Sequence, residues 1–298
     1  MKQVSALISA VAMTVLAGCA TVDGTPSVTP LAVRSDPGPI TGIALAPDGS
    51  IYAAGGLEQP LQKLSRDGAI ETAWGKGLIA SKHGLRRYGS HLYATDIGNH
   101  QVFQMDLNGN VQMTLGERGV PGCDATHFDK PTDVAVAPNG DLYITDGYGN
   151  SRVACFSADG KFKFDWGKRG DAPGEFFHPH NIVIGPDRRI YIADRDNRRI
   201  QVFTMEGKFL EARPESGGVF GLDLDPAGGR LFYTVNRPDW HGVVITALDG
   251  TRLGEIGGKG NGPGQFDVPH SLVYDAKDRS LFVGEVANHR IQKISLND

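Results

Sequence analysis

The sequence predicts an all-β chain folded as a six-bladed β-propeller, and three observations carry that prediction. One motif recurs along the chain: "LYATDIGNHQVFQMD", "LYITDGYGNSRVACFS", "IYIADRDNRRIQVFT" and "LFVGEVANHRIQKIS". Each copy is a β-run, an acidic residue, a polar turn around asparagine and a second β-run, and a period near fifty residues marks a repeat architecture. Each unit divides into four short runs separated by turn signals, as in "NIVIG", "RIYIAD", "RIQVFT" and "KFLEAR". Forty glycines and 17 prolines among 298 residues supply the turns that so many short strands need. Two β-sandwich domains would not explain a single motif running the length of the chain.

The N-terminus stands apart from the repeats. Residues 1–18 read as a signal peptide, with Lys2, an apolar run from Val4 to Leu16 and small residues before Cys19. Leu16-Ala17-Gly18-Cys19 resembles a bacterial lipobox, which makes Cys19 the expected lipidation site. Ala20 is not the aspartate that usually retains such lipoproteins at the inner membrane. The expectation is therefore an outer-membrane lipoprotein facing the periplasm, attached by its lipid anchor only. Residues 19–29 read as a flexible tether and residues 30–298 as the propeller.

Within the propeller the acidic positions are Asp96, Asp146, Asp194 and Glu285. A degenerate copy with Asn236 at the turn fits between the last two. A first copy, "IYAAGGLEQPLQKLS", lies upstream and completes six units. The turn motif resembles the NHL repeat. The sixth unit stops after its third strand, so the N-terminal "PLAVRS" is expected to add the outer strand and close the ring without an open edge.

Bulk properties exclude some functions. A net charge of −4 with no basic stripe gives no footprint for nucleic acid. Cys123 and Cys155 remain once Cys19 is set aside, and their spacing leaves a disulfide open.

The residues opening the first strand of each unit are Thr41, His83, Thr132, His180, Phe220 and His270. Histidine occupies alternate units, which in a six-bladed ring lie roughly 120° apart, so three imidazoles converge on the axis. Three histidines with an open fourth position form a ligand set suited to a divalent borderline metal, catalytic zinc first, with copper and iron left open. His100 and His289 fall in the repeated turn and read as structural. His91, His127, His178 and His241 read as loop residues without a role.

Two segments, "PTDVAVAPNGDLYITDGYGNSRVACFSADGKFKFDWG" and "HPHNIVIGPDRRIYIADRDNRRIQVF", resemble peptidyl-α-hydroxyglycine α-amidating lyase. This is the second catalytic domain of animal peptidylglycine α-amidating monooxygenase. The resemblance runs from about His83 to the end of the chain. It implies zinc held by His83, His180 and His270, a catalytic tyrosine at Tyr148 and a substrate-binding arginine at Arg195. It also implies cleavage of an α-hydroxyglycine C–N bond to an amide and glyoxylate. The expected partner is a small peptide-like or acylglycine-like substrate, supplied by a separate hydroxylating enzyme.

Those residue types suit the reaction. Zinc acidifies a bound hydroxyl. Tyr148 can accept its proton once zinc and a guanidinium depress the phenol's pKa. Arginine grips a carboxylate at two points.

Four features depart from the family. "IYAAGG" offers no counterpart to an arginine of the first blade, and Ser271 replaces a calcium-binding aspartate, which withdraws support for Ca2+. Asp129 and Gly149 replace a cysteine pair, and Lys82 replaces a proline. The competing reading is a non-catalytic envelope propeller that binds a peptide, glycan or protein. A calcium lactonase is disfavoured, because that class uses carboxylate and asparagine ligands.

Overall fold

The computed structural model describes residues 27–30 and 38–296. The signal segment, Cys19 and the first part of the tether lie outside the described residues. Six four-stranded antiparallel sheets follow one another along the chain. Their inner strands are Gly42–Leu45, Lys82–Tyr88, Asp133–Val136, Pro179–Ile184, Gly218–Asp225 and Pro269–Asp275, numbered here as blades 1 to 6. Each inner strand touches the next, and the last touches the first, so the six surround a central axis. The predicted six-bladed propeller is the observed fold.

Burial explains the strand composition. Second and third strands are covered on both faces by neighbouring blades, so runs such as Leu142–Asp146 and Arg152–Phe156 are buried throughout. Outer strands meet solvent on one face and alternate, as in Phe162–Trp166 and Phe209–Pro214. Apolar clusters fill the spaces between blades. The one joining Ile40, Ile43 and Ile51 to Phe282 and Ile291 seals blade 1 against blade 6.

Ring closure differs in register from the expectation. The fourth strand of blade 6 is Ser27–Pro30, paired antiparallel with Arg290–Ser295 from Ser27↔Ser295 to Pro30↔Gln292. The closing strand thus ends where "PLAVRS" begins, and residues 27–29 belong to the sheet rather than the tether. Proline cannot donate to a ladder, so it is better placed at the end of an edge strand than leading one inward. Cys123 is exposed and Cys155 is buried in the core shared by blades 3 and 4, and both are free thiols.

The repeated acid has a clear structural task. Asp96, Asp146, Asp194 and Glu285 are fully buried at the ends of second strands. Each accepts a backbone N–H from the loop that leads into its own blade's inner strand: Ser81, Asp129, Phe177 and Asp267 are the donors. Each also accepts the turn asparagine, Asn99, Asn150, Asn197 or Asn288. The acid therefore latches the loop whose far end carries the channel residue. In blades 3, 4 and 6 that loop turns through Lys130, His178 and Val268 at φ 63°, 61° and 50°, each two residues before the channel position. Left-handed φ at residues other than glycine persists only where surrounding bonds over-determine it.

Below the channel residues, Arg86 spans the axis. Its Nε donates to both Asp133 carboxylate oxygens at 3.1 Å, and Nη2 donates to Asp133 Oδ2 at 2.8 Å and to the Leu222 carbonyl at 3.0 Å. Asn181 Oδ1 accepts from Arg86 as well. One guanidinium thereby ties blades 2, 3, 4 and 5 together. Arg86→Ala would leave the Asp133 carboxylate, 1% exposed, unpaired. Truncating one member of a buried pair costs about 3–5 kcal/mol. Denaturant unfolding should register a loss of that size, and a loss below about 1 kcal/mol would show the plug to be dispensable.

Candidate metal centre

His83, His180 and His270 meet on the axis as the alternate-blade pattern predicts. Each offers one ligand atom, and the three atoms lie within 4.8 Å of one another. Their ring centroids are 4.6–4.8 Å apart, and all three side chains are buried. The other three channel positions do something the sequence did not announce. Thr132 O receives Nδ1–H of His83 at 2.8 Å, Phe220 O that of His180 at 2.9 Å, and Thr41 O that of His270 at 2.8 Å. Odd-numbered blades thus supply carbonyls and even-numbered blades supply imidazoles.

This alternation fixes the chemistry of the donor set. A carbonyl can only accept, so each Nδ1 carries the proton and each Nε2 presents a lone pair to the axis. Burial, reinforced by the Arg195 charge, pushes His83 down to about 4. Burial and the neighbouring imidazoles hold His180 well below its ordinary value, and burial followed by His83 does so for His270. Three neutral, pre-oriented imidazoles are what a divalent borderline metal requires. The residues present fit such an ion.

Tyr148 and Arg195, assigned by resemblance alone, stand on this triad. The Tyr148 hydroxyl lies 3.0 Å from His83 Nε2 and 3.1 Å from His180 Nε2, and Arg195 Nη1 donates to it at 2.9 Å. Arg195 packs 5.1 Å from the Tyr148 ring centroid and 5.3 Å from that of Phe220. Phe220 in turn covers His180 and His270 at 5.1 and 5.6 Å. Burial pushes the Tyr148 phenol above its ordinary value, with the Arg195 charge acting in the opposite direction. The guanidinium alone therefore does not depress the phenol, and net depression requires the charge of a bound metal as well.

Several contributors lay outside the sequence reading. His178 is no idle loop residue. Its Nδ1 lies 2.6 Å from Asp196 Oδ2 and 3.2 Å from Arg195 Nη2, and its ring lies 5.7 Å from that of Tyr148. Asp196 also accepts Arg195 Nε at 2.7 Å, so the pair braces the guanidinium against the phenol. "HPH" was the available signal, because the latched loop must bring the first histidine back over the blade. Lys82 donates to the Gly56 carbonyl at 2.9 Å, tying blade 2 to the "IYAAGG" segment. His91 and His241 begin strands rather than lying in loops. His100 and His289 sit in the turns at φ 59° and 49°, as their place in the repeat implied.

Comparison with known proteins bears on the fold and on what the chain resembles. Residues 124–214 match a family model described as a 6-bladed beta-propeller. Peptidyl-glycine alpha-amidating monooxygenase A of Xenopus laevis is 34% identical over 242 residues, which make up 74% of this chain and 25% of that protein. The chain thus spans about a quarter of that relative's length. Peptidyl-alpha-hydroxyglycine alpha-amidating lyase 2 of Drosophila melanogaster is 30% identical over 251 residues, 77% of this chain and 58% of that protein. A gluconolactonase from Xanthomonas campestris superposes with a TM-score of 0.67 at 16% identity, covering 91% of this chain and 89% of that one, which shows a shared fold alone. By fold and by sequence, this chain is a six-bladed β-propeller similar to the peptidyl-α-hydroxyglycine α-amidating lyases.

Proposed function

We propose that this protein is a zinc-dependent lyase that cleaves the C–N bond of an N-acyl or peptidyl α-hydroxyglycine, giving an amide and glyoxylate. The observation that carries this reading is the Tyr148 hydroxyl, shared between two imidazoles of a neutral histidine triad and one guanidinium. A divalent ion held by His83, His180 and His270 would supply Lewis acidity toward the substrate hydroxyl. Tyr148 is placed to take the hydroxyl proton as general base. Arg195 holds the glycine-derived carboxylate, and Asp196 and His178 keep its guanidinium in place.

The electron pair left by the O–H bond forms the glyoxylate carbonyl, and the C–N bond breaks with its electrons passing to nitrogen. Tyr148 then returns the proton to that nitrogen, leaving a primary amide. Phe220, packed over His180 and His270, limits access of water to the reacting carbon.

The surrounding biology follows as part of the same proposal. The α-hydroxyl would be installed by a separate hydroxylating enzyme, and Cys19 would tether the propeller to the periplasmic face of the outer membrane.

The direct test is glyoxylate release from α-hydroxyhippurate by zinc-loaded protein. Absence of glyoxylate with metal bound would sink the reading and return the chain to the binding-propeller class. Arg195→Lys should raise KM about 10- to 100-fold with a smaller change in kcat, because an ammonium replaces a planar two-point contact. Steady-state kinetics on the same substrate would show this, and an unchanged KM would remove the carboxylate from Arg195.

A further inference from the structure

Blade 5 lacks the acidic latch that blades 2, 3, 4 and 6 share. The residue ending its second strand, where Asp194 and Glu285 stand in blades 4 and 6, is Asn236, paired with Gly218 as Asp194 is with Pro179. Neither Asn236 Nδ2 nor Oδ1 has a hydrogen-bond partner, although both atoms are buried. The connector it would hold is reduced to residues 215–217 between the strands Phe209–Pro214 and Gly218–Asp225. Where blades 2, 3, 4 and 6 reach their inner strands through longer loops, blade 5 borders a cleft of about 390 Å³.

This cleft adjoins the metal centre. Arg195 and Phe220, which touch Tyr148 and the triad, form one of its walls. Gly217 and Gly218 also line it, and a Cβ on Gly218 would sit 3.1 Å from the Phe220 ring and 3.5 Å from Arg195 Cγ. Its charged lining carries Arg195, Arg198, Arg237 and Lys259, of which Arg237 is paired with Glu215 and Glu255 and Arg195 with Asp196. Asp196 is the only acidic residue lining it, and that carboxylate is already engaged by Arg195 and His178. Arg198 and Lys259 are exposed to solvent.

We infer that this cleft is the subsite for the acyl portion of the substrate and that it selects an acyl group carrying a carboxylate. An unpartnered buried amide is costly, and a small turn of Asn236 toward the cleft it lines would let a peptide group supply both the donor and the acceptor it lacks. The solvent-exposed cations Arg198 and Lys259 favour an anion near that peptide group. The substrate class is therefore an acidic N-acyl or peptidyl α-hydroxyglycine. This inference rests on the lyase reading above.

The test compares kcat/KM for the α-hydroxyglycine derivatives of N-acetylglutamate and N-acetyllysine. Wild type should favour the glutamyl substrate by about tenfold, and the Arg198→Glu/Lys259→Glu double variant should bring that ratio to one or below. Equal rates for the two substrates in wild type, or a ratio untouched by the charge reversal, would overturn the inference. If α-hydroxyhippurate and both derivatives fail to turn over, the lyase reading fails first. Calorimetric binding of N-acetylglutamylglycine against N-acetyllysylglycine then tests the cleft alone. Tighter glutamyl binding that the double variant abolishes supports the subsite, and equal or absent binding refutes it.

Discussion

His180→Ala should lower turnover of an α-hydroxyglycine substrate at least about 10³-fold and abolish tight binding of a divalent metal. Under the proposed function several kcal/mol of transition-state stabilisation would come from the ion, and each 1.36 kcal/mol is a factor of ten in rate. His180 is the strongest choice because it makes two functional contacts. Its Nδ1 is fixed by the Phe220 carbonyl and its Nε2 lies 3.1 Å from the Tyr148 hydroxyl. The substitution also leaves the Phe220 carbonyl without its donor, at a cost of about 1–3 kcal/mol. A thermal melt must therefore accompany the kinetics. A folded variant that keeps both its metal and its activity would show that the triad is not the catalytic ligand set.

Tyr148→Phe should reduce kcat about 10²- to 10⁴-fold, the usual contribution of a positioned general base, while metal content stays at the wild-type level. The phenyl ring can keep its edge contacts with His83 and His180, whose centroids lie 5.0 and 5.8 Å away, so the variant removes the hydroxyl and little else. Metal retention is what separates this result from that of His180→Ala. A kcat within threefold of wild type would leave Tyr148 as packing for Arg195 and transfer the base to another group.

The features legible in the sequence were those that the repeat prints on side chains. The period near fifty residues gave the blades, and reading one register across six units gave Thr41, His83, Thr132, His180, Phe220 and His270 as a ring. The latch acids were visible for the same reason. Features that depend on backbone atoms or on contacts between distant blades were not visible. No residue type announces that its carbonyl will orient an imidazole, so the part played by Thr41, Thr132 and Phe220 was hidden. Arg86 and Asp133 are 47 positions apart and belong to different blades, so nothing local links them. His178 shares "HPH" with His180 but acts through Arg195 and Asp196, which lie 17 and 18 positions away on the turn after the second strand. The closing strand was expected from ring topology, yet its register was placed several residues too late. Asn236 read as the turn of a degenerate copy, and nothing in the sequence showed that it lines a cleft beside the histidine triad.

The claim on which everything else depends is that three neutral imidazoles hold one divalent ion on the propeller axis. Elemental analysis of the purified protein, after zinc loading and removal of free metal, tests it most directly. The account predicts one equivalent of divalent metal per chain in wild type and none in the His83→Ala/His180→Ala/His270→Ala variant. A wild-type protein that holds no metal, or a triple variant that holds as much as wild type, would contradict it.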